Sequence, residues 1–238
     1  MPSPRRHLLT AAAAWAVLSV VSVALVAGIQ ILPEIASREA QVEDAAFVLL
    51  TAAAMPVLMF VLVGLAYSAL RFRAGDDDDE DGPPIHGHGG VQAVWLGVSS
   101  LLVLGLFGYG AVGLLEIRGS EPADYVVEVV AEQWAWHFIY PDGTETKELH
   151  VPVDRRVRLD ITSDDAIHSL WIPAFGIKQD AVQGRTTYAS MTVTQPGTYG
   201  GMCAELCGLG HTGMTVTVVA QSMADLEAWL HDQPPVPE

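Results

Sequence analysis

Three long apolar runs open the chain, and a shorter period takes over after them. Leu8 to Leu32 holds no charged residue, Ala45 to Leu70 holds none, and Val91 to Leu115 is the third run. Each exceeds the roughly 20 residues needed to cross a bilayer. Inside lipid the backbone must satisfy its own hydrogen bonds, so all three runs predict helices. Pro56 is compatible with this, since neighbouring groups can re-satisfy a membrane helix around a proline. Gly105, Gly108, Gly110 and Gly113 make the third helix either a close-packing surface or a plain lipid-facing one. From Tyr125 onward the pattern alternates, most strictly in Val157-Arg158-Leu159-Asp160-Ile161, as in a half-buried strand. Further strands are expected at Tyr125–Ala131, Thr186–Val193, Thr198–Met202 and Met214–Ala220, with turns at Pro141-Asp142-Gly143 and Gln195-Pro196-Gly197. Ser222 and Asp225 form a capping-box-like start for a short helix, Met223–Leu230, before a frayed Pro-Pro-Val-Pro tail.

These elements divide the chain into four parts. Residues 1–44 hold a first transmembrane helix or signal peptide and an external loop. Residues 45–118 form a helical hairpin with an acidic cytoplasmic loop, 119–222 an all-β sandwich or barrel, and 223–238 a short helix and tail. The first run has the basic start of a signal peptide, but it is longer than an h-region of about 7–15 residues and lacks a clear small-x-small cleavage site. A retained helix is the expectation. Arg5 and Arg6 precede the first run and Arg71 and Arg73 follow the second, so both ends are expected in the cytoplasm. The segment Pro33–Asp44 and everything after Arg118 then lie outside, and the loop Ala74–Gly90, with Asp76–Asp81, lies inside. The protein is expected to be a multi-pass protein of the plasma membrane.

Charge sharpens the picture. Half of the 238 residues are hydrophobic, yet the net charge is −16, so lipid-facing and water-facing residues must be segregated. An acidic balance argues against nucleic acid as a partner, because phosphate contacts need basic groups. Lys147 and Lys178 are the only lysines. An acidic, lysine-poor surface stays soluble by charge and hydration in concentrated salt, and a salt-loving source is the expectation.

The chemistry sits in Gly201-Met202-Cys203-Ala204-Glu205-Leu206-Cys207-Gly208-Leu209-Gly210-His211-Thr212-Gly213-Met214. Thiolate and thioether are soft ligands that select copper, zinc or iron–sulfur clusters, and imidazole suits copper and zinc. Gly208, Gly210 and Gly213 would let the segment fold tightly. His168, expected just after a strand, would supply a further ligand. Two cysteines alone outside the cytoplasm would read as a disulfide, and two Cys with two His as a zinc site. A blue copper site uses two His, one Cys and a weak Met. The second Cys and Met214 favour two coppers bridged by two thiolates over all three.

The spacing Cys-x-Glu-x-Cys-x3-His-x2-Met, with His168-Ser169-Leu170-Trp171-Ile172-Pro173 upstream, resembles the CuA signature of cytochrome c oxidase subunit II. Lys178-Gln179-Asp180-Ala181-Val182-Gln183-Gly184-Arg185 is similar to the family's Lys-x-Asp-Ala-x-Pro-Gly-Arg, with Gln183 in place of proline, and Gln133-Trp134-Ala135-Trp136 to its aromatic stretch. The resemblance implies a cupredoxin-like Greek-key domain. It implies that Cys203 and Cys207 bridge two coppers, that His168 and His211 each bind one, and that Met214 and the Glu205 carbonyl are weak ligands. The Glu205 side chain would reach a magnesium or manganese ion at the interface with oxidase subunit I, and Trp134 would receive electrons. Implied partners are subunit I, other oxidase subunits, and an external donor, either cytochrome c or a halocyanin-like blue copper protein. The implied function is electron uptake for oxygen reduction in subunit I, a proton-translocating terminal oxidase. A copper-containing nitric oxide reductase and a membrane-tethered copper-binding or assembly protein are the alternatives. Two features depart from the family. Gln92-Ala93-Val94-Trp95 stands where a Glu-x-x-Trp often marks a proton path, and three apolar runs stand where two helices are usual. For the salt-loving surface, the β domain is expected to lose stability in dilute buffer; full thermal stability at low ionic strength would contradict it.

Overall fold

The computed structural model describes residues 3–29, 34–73, 87–118 and 122–234. The acidic run Asp76–Asp81, most of the glycine–histidine stretch after it, Pro33 and most of the Pro-Pro-Val-Pro tail lie outside the described residues. The chain forms two compact units, one of residues 1–31 and 45–113, the other of residues 32–44 and 114–238.

The helical unit is built from α1 (Pro4–Gly28), α2 (Arg38–Arg71) and α3 (Gly89–Arg118). All three are long and apolar enough to span a membrane. Their leucines, valines and phenylalanines are mostly exposed within the protein, as a lipid-facing helix requires. Two polar contacts tie α1 to α2. The Trp15 indole donates to the Pro56 carbonyl at 2.8 Å, and His7 Nδ1 lies 2.8 Å from the Tyr67 hydroxyl. α2 begins well before the uncharged run, at Arg38, so part of the expected external loop is helical. Its 34 residues make it about 50 Å long, more than the roughly 30 Å of hydrocarbon in a bilayer.

The second unit is a sandwich of two five-stranded sheets. One sheet has the order β3 (Glu145–Thr146), β2 (Ala135–Ile139), β1 (Tyr125–Glu132), β5 (Arg156–Ser163), β8 (Thr187–Thr192). The other has β4 (Leu149–Pro152), β10 (Thr215–Gln221), β9 (Gly197–Cys203), β6 (His168–Ile172), β7 (Ile177–Ala181). β1 with β5 and β4 with β10 are parallel; the other pairs are antiparallel. This is the expected all-β sandwich. The alternating residues of the sequence fill it: Val127 and Val129, Val157, Leu159 and Ile161 face Leu170, Ile172, Val216 and Val218, all buried. Five expected strands were found, and five short ones were not foreseen. β2, β3, β4, β6 and β7 are too short, or too evenly buried in the case of β4, to show a period of two.

Residues 34–44 belong to the sandwich. Ala36 N–H donates to the Ala174 carbonyl, the Ser37 hydroxyl to the Phe175 carbonyl, and buried Glu39 accepts from the Thr192 N–H, each at 2.8 Å. At the other end, α4 (Met223–His231) starts on Ser222, whose hydroxyl accepts from Asp225 N–H. α4 stacks Trp229 on His150 of β4, ring centroids 3.5 Å apart. Tyr140 fixes the same strand: its buried hydroxyl donates to the His150 carbonyl and accepts from the His150 N–H at 2.7 Å. Tyr140→Phe would strand that N–H and is expected to lower unfolding free energy by about 1–3 kcal/mol, read from thermal unfolding of the full chain by near-UV circular dichroism.

Candidate metal centre

The ligand-rich segment is a loop held by its two ends. β9 enters it at Cys203 and β10 leaves it after Met214. Cys203 N–H donates to the Met214 carbonyl at 2.9 Å, which closes the neck. β6 runs alongside, with Leu170 opposite Cys203 and Trp171 opposite Met202, and Ala204 N–H donates to the Ser169 carbonyl at 2.8 Å. This register sets His168, the first residue of β6, beside the neck. His168 therefore follows β5, as expected, and itself opens the next strand. Gly201 allows the strands to approach, since a Cβ there would lie 2.8 Å from the Trp171 carbonyl oxygen.

Within the loop, Gly208 takes a φ of 116°, a conformation open to glycine. A short 3-10 turn, His211–Gly213, then directs His211 back toward the cysteines. The donor atoms converge. The sulfurs of Cys203 and Cys207 lie 3.8 Å apart, and both cysteines are free. Cys207 Sγ lies 3.6 Å from His211 Nδ1 and 3.9 Å from Met214 Sδ. His168 Nδ1 lies 3.2 Å from Met214 Sδ and 3.9 Å from Cys203 Sγ, and the Glu205 carbonyl oxygen lies 3.2 Å from Cys203 Sγ. All six sequence-predicted metal residues are thus linked by contacts, and the ligand atoms of His168, Cys203 and Cys207 all lie within 4.8 Å of one another. The Glu205 side chain belongs to an exposed residue at the loop surface. His168, Cys203, Cys207 and Met214 are buried, and His211 is half-buried.

Groups around the donors orient them. Asp165 Oδ1 lies 2.9 Å from His168 Nε2. A carboxylate only accepts, so Nε2 carries the hydrogen and Nδ1 turns its lone pair to the sulfurs. Partial burial would raise the Asp165 carboxyl, but hydrogen bonds from His168 and from the Ala166 and Gln133 N–H groups outweigh it and hold it below the usual value. Burial first, then the Cys203 sulfur, push the Cys207 thiol up to about 11. Binding a cation there must displace a proton. The buried Trp136 ring meets His168 edge-on at 6.1 Å.

Trp134 sits in the turn between β1 and β2, not in a strand, and is 43% exposed. Its indole N–H donates to the Cys207 carbonyl at 3.2 Å, and the Gln133 amide donates to the same oxygen at 2.6 Å. The indole lies against Gly208 and Gly210; a Cβ on Gly210 would overlap it. Asp165 and Gln133 were not singled out from sequence. Their signal was proximity alone, three residues before His168 and one before Trp134.

The donor set suits a soft, thiophilic metal. Two sulfurs within reach of each other, with imidazole and thioether beside them, are compatible with copper binding. Free sulfurs at 3.8 Å exclude the disulfide reading in this conformation. Asp165→Ala is expected to weaken copper affinity by about 10–100-fold with the near-UV spectrum retained, measured by competition with a copper chelator.

Comparison with known proteins follows the same lines. Residues 144–221 match the family described as "Cytochrome C oxidase subunit II, periplasmic domain". The cytochrome c oxidase subunit 2 of Synechocystis sp. is 29% identical over 255 residues, covering 87% of this chain and 77% of the relative. That of Thermostichus vulcanus is 29% identical, covering 84% and 77%. Among solved structures, the periplasmic domain of cytochrome oxidase subunit II from Bradyrhizobium japonicum superposes with a TM-score of 0.46 at 28% identity, covering 48% of this chain and 95% of that one.

Proposed function

We propose that this chain, which is similar to cytochrome c oxidase subunit II over its β domain and in 29% of aligned residues to whole subunits, is the electron-accepting subunit of a respiratory haem–copper oxidase. The observation that supports the reading most is the convergence of two free thiols, two imidazoles, a thioether and a peptide carbonyl in one buried loop. When bound, a CuA pair supplies a one-electron carrier whose charge is shared between two metals.

The chain's own residues do the rest. Cys203, Cys207, His168, His211, Met214 and the Glu205 carbonyl would hold the copper, the two thiolates supplying the negative charge. Asp165 fixes the His168 tautomer, so that imidazole needs no reorientation. Burial of both sulfurs keeps water away from them. The half-exposed Trp134 offers a donor its indole edge and is one hydrogen bond from the Cys207 peptide. A surface-to-thiolate route therefore needs one such bond and the covalent path of a single residue. The exposed Glu205 carboxylate is free to meet a magnesium or manganese ion contributed by subunit I.

In this reading the haem that would take the electron, and the reduction of oxygen, belong to subunit I. The β domain lies outside the plasma membrane in this reading, with Arg5, Arg6, Arg71 and Arg73 in the cytoplasm. Ile167, Leu206 and Leu209, all exposed, lie on the segments that hold the ligands. In concentrated salt the Debye length falls to about 3 Å, and that apolar rim takes over docking from charge. Under those conditions the donor class that fits is an acidic halocyanin-like blue copper protein as well as cytochrome c.

Copper loading of the full chain is expected to give an electron paramagnetic resonance signal with hyperfine structure from two equivalent coppers. Cys203→Ser and Cys207→Ser should each abolish it. Trp134→Ala should keep it and slow reduction by the donor. A signal from a single copper, or a silent Cu(I) site, would replace this reading with metal storage.

A further inference from the structure

The helical unit holds a polar site that electron transfer does not use. The pairs His7–Tyr67 and Trp15–Pro56 show that α1 and α2 run antiparallel. Where α1 begins and α2 finishes, Arg6, His7, Leu9, Thr10, Tyr67 and Arg71 line a cavity of about 460 Å3. His7 and Tyr67 bond to each other, and the Phe72 ring packs 5.3 Å from His7. These contacts build the wall of the cavity from both helices. The Thr10 hydroxyl donates to the Arg6 carbonyl at 2.8 Å, inside its own helix. The two guanidinium groups are left as the site's cations. Neither has an ion pair among the described residues.

Both arginines are exposed and open to an anion from outside the protein. A chain of net charge −16 has placed Arg5, Arg6, Arg71 and Arg73 at one end of its helices. That end is the level of the lipid headgroups. Guanidinium is the side chain best shaped to hold a phosphate through two parallel hydrogen bonds. Leu9, 58% exposed, continues the cavity wall into the apolar stretch of α1. A free phosphate would have no use for such a wall, whereas an acyl chain would. A headgroup with its own ammonium would bring a third cation to the two arginines.

We propose that this cavity holds the phosphate of an anionic phospholipid, seated between α1 and α2. The site exists only if α1 stays in the mature protein. In this structure α1 makes two polar contacts with α2.

The test uses the full chain in mild detergent with equal amounts of phosphatidylglycerol and phosphatidylcholine, followed by native mass spectrometry. Phosphatidylglycerol is expected to remain bound in preference to phosphatidylcholine, and excess inorganic phosphate should not displace it. Arg6→Gln with Arg71→Gln should cut its retention at least tenfold. Arg5→Gln with Arg73→Gln removes the same charge outside the cavity and should leave most of it. Equal retention of both lipids overturns the proposal, including the case in which the nearby acidic run Asp76–Asp81 answers the arginines. Equal losses in the two double variants would mean diffuse attraction only, and also overturn it. So would displacement by inorganic phosphate, which would make the site one for the free anion, or an intact mass lacking α1. The wild-type preference decides the matter even if a variant fails to insert.

Discussion

The pairing of β6 with β9 is the constraint on which the metal centre depends. One ligand comes from β6 and the rest from a loop more than thirty positions later in the chain. A slip of one residue would turn His168 to the opposite face of its sheet, because side chains alternate along a strand. The register is held from several sides: by Leu170 opposite Cys203, by the Ala204 N–H on the Ser169 carbonyl, and by the Cys203–Met214 neck. Packing reinforces it. Leu170 and Ile172 are fully buried against the facing sheet, so a slipped β6 would expose both.

The candidate ligands stand out in the sequence, and the groups that orient them do not, for a physical reason. Cys203, Cys207, His211 and Met214 act through rare side chains packed close in the chain. Asp165 and Gln133 act through common ones, and only the fold brings Gln133 to the Cys207 carbonyl. The strands divide the same way. β5 alternates because one face is core and the other is wet. β4 is buried along all four residues, and β6 along all but Trp171, so neither shows an alternation to read.

The membrane portion was legible for the opposite reason: lipid imposes one rule on every residue in the span, so composition alone reveals it. What composition missed was the start of α2. Arg38, Glu39, Glu43 and Asp44 broke the apolar run, and charge was taken as the end of helix. A helix outside lipid has no reason to avoid charge. Glu39 is there because its carboxylate satisfies a buried N–H of β8, a need that arises only once the sandwich exists.

The seat of the Trp134 indole on Gly208 and Gly210 has a consequence for transplanting this site. The loop and the β1–β2 turn are shaped by each other, one lacking side chains where the other lays an aromatic ring. A designer who grafted residues 203–214 alone onto another sandwich would leave behind both His168 on β6 and the indole that seats on the loop. The smallest portable module is therefore discontinuous, and loop and turn must travel together.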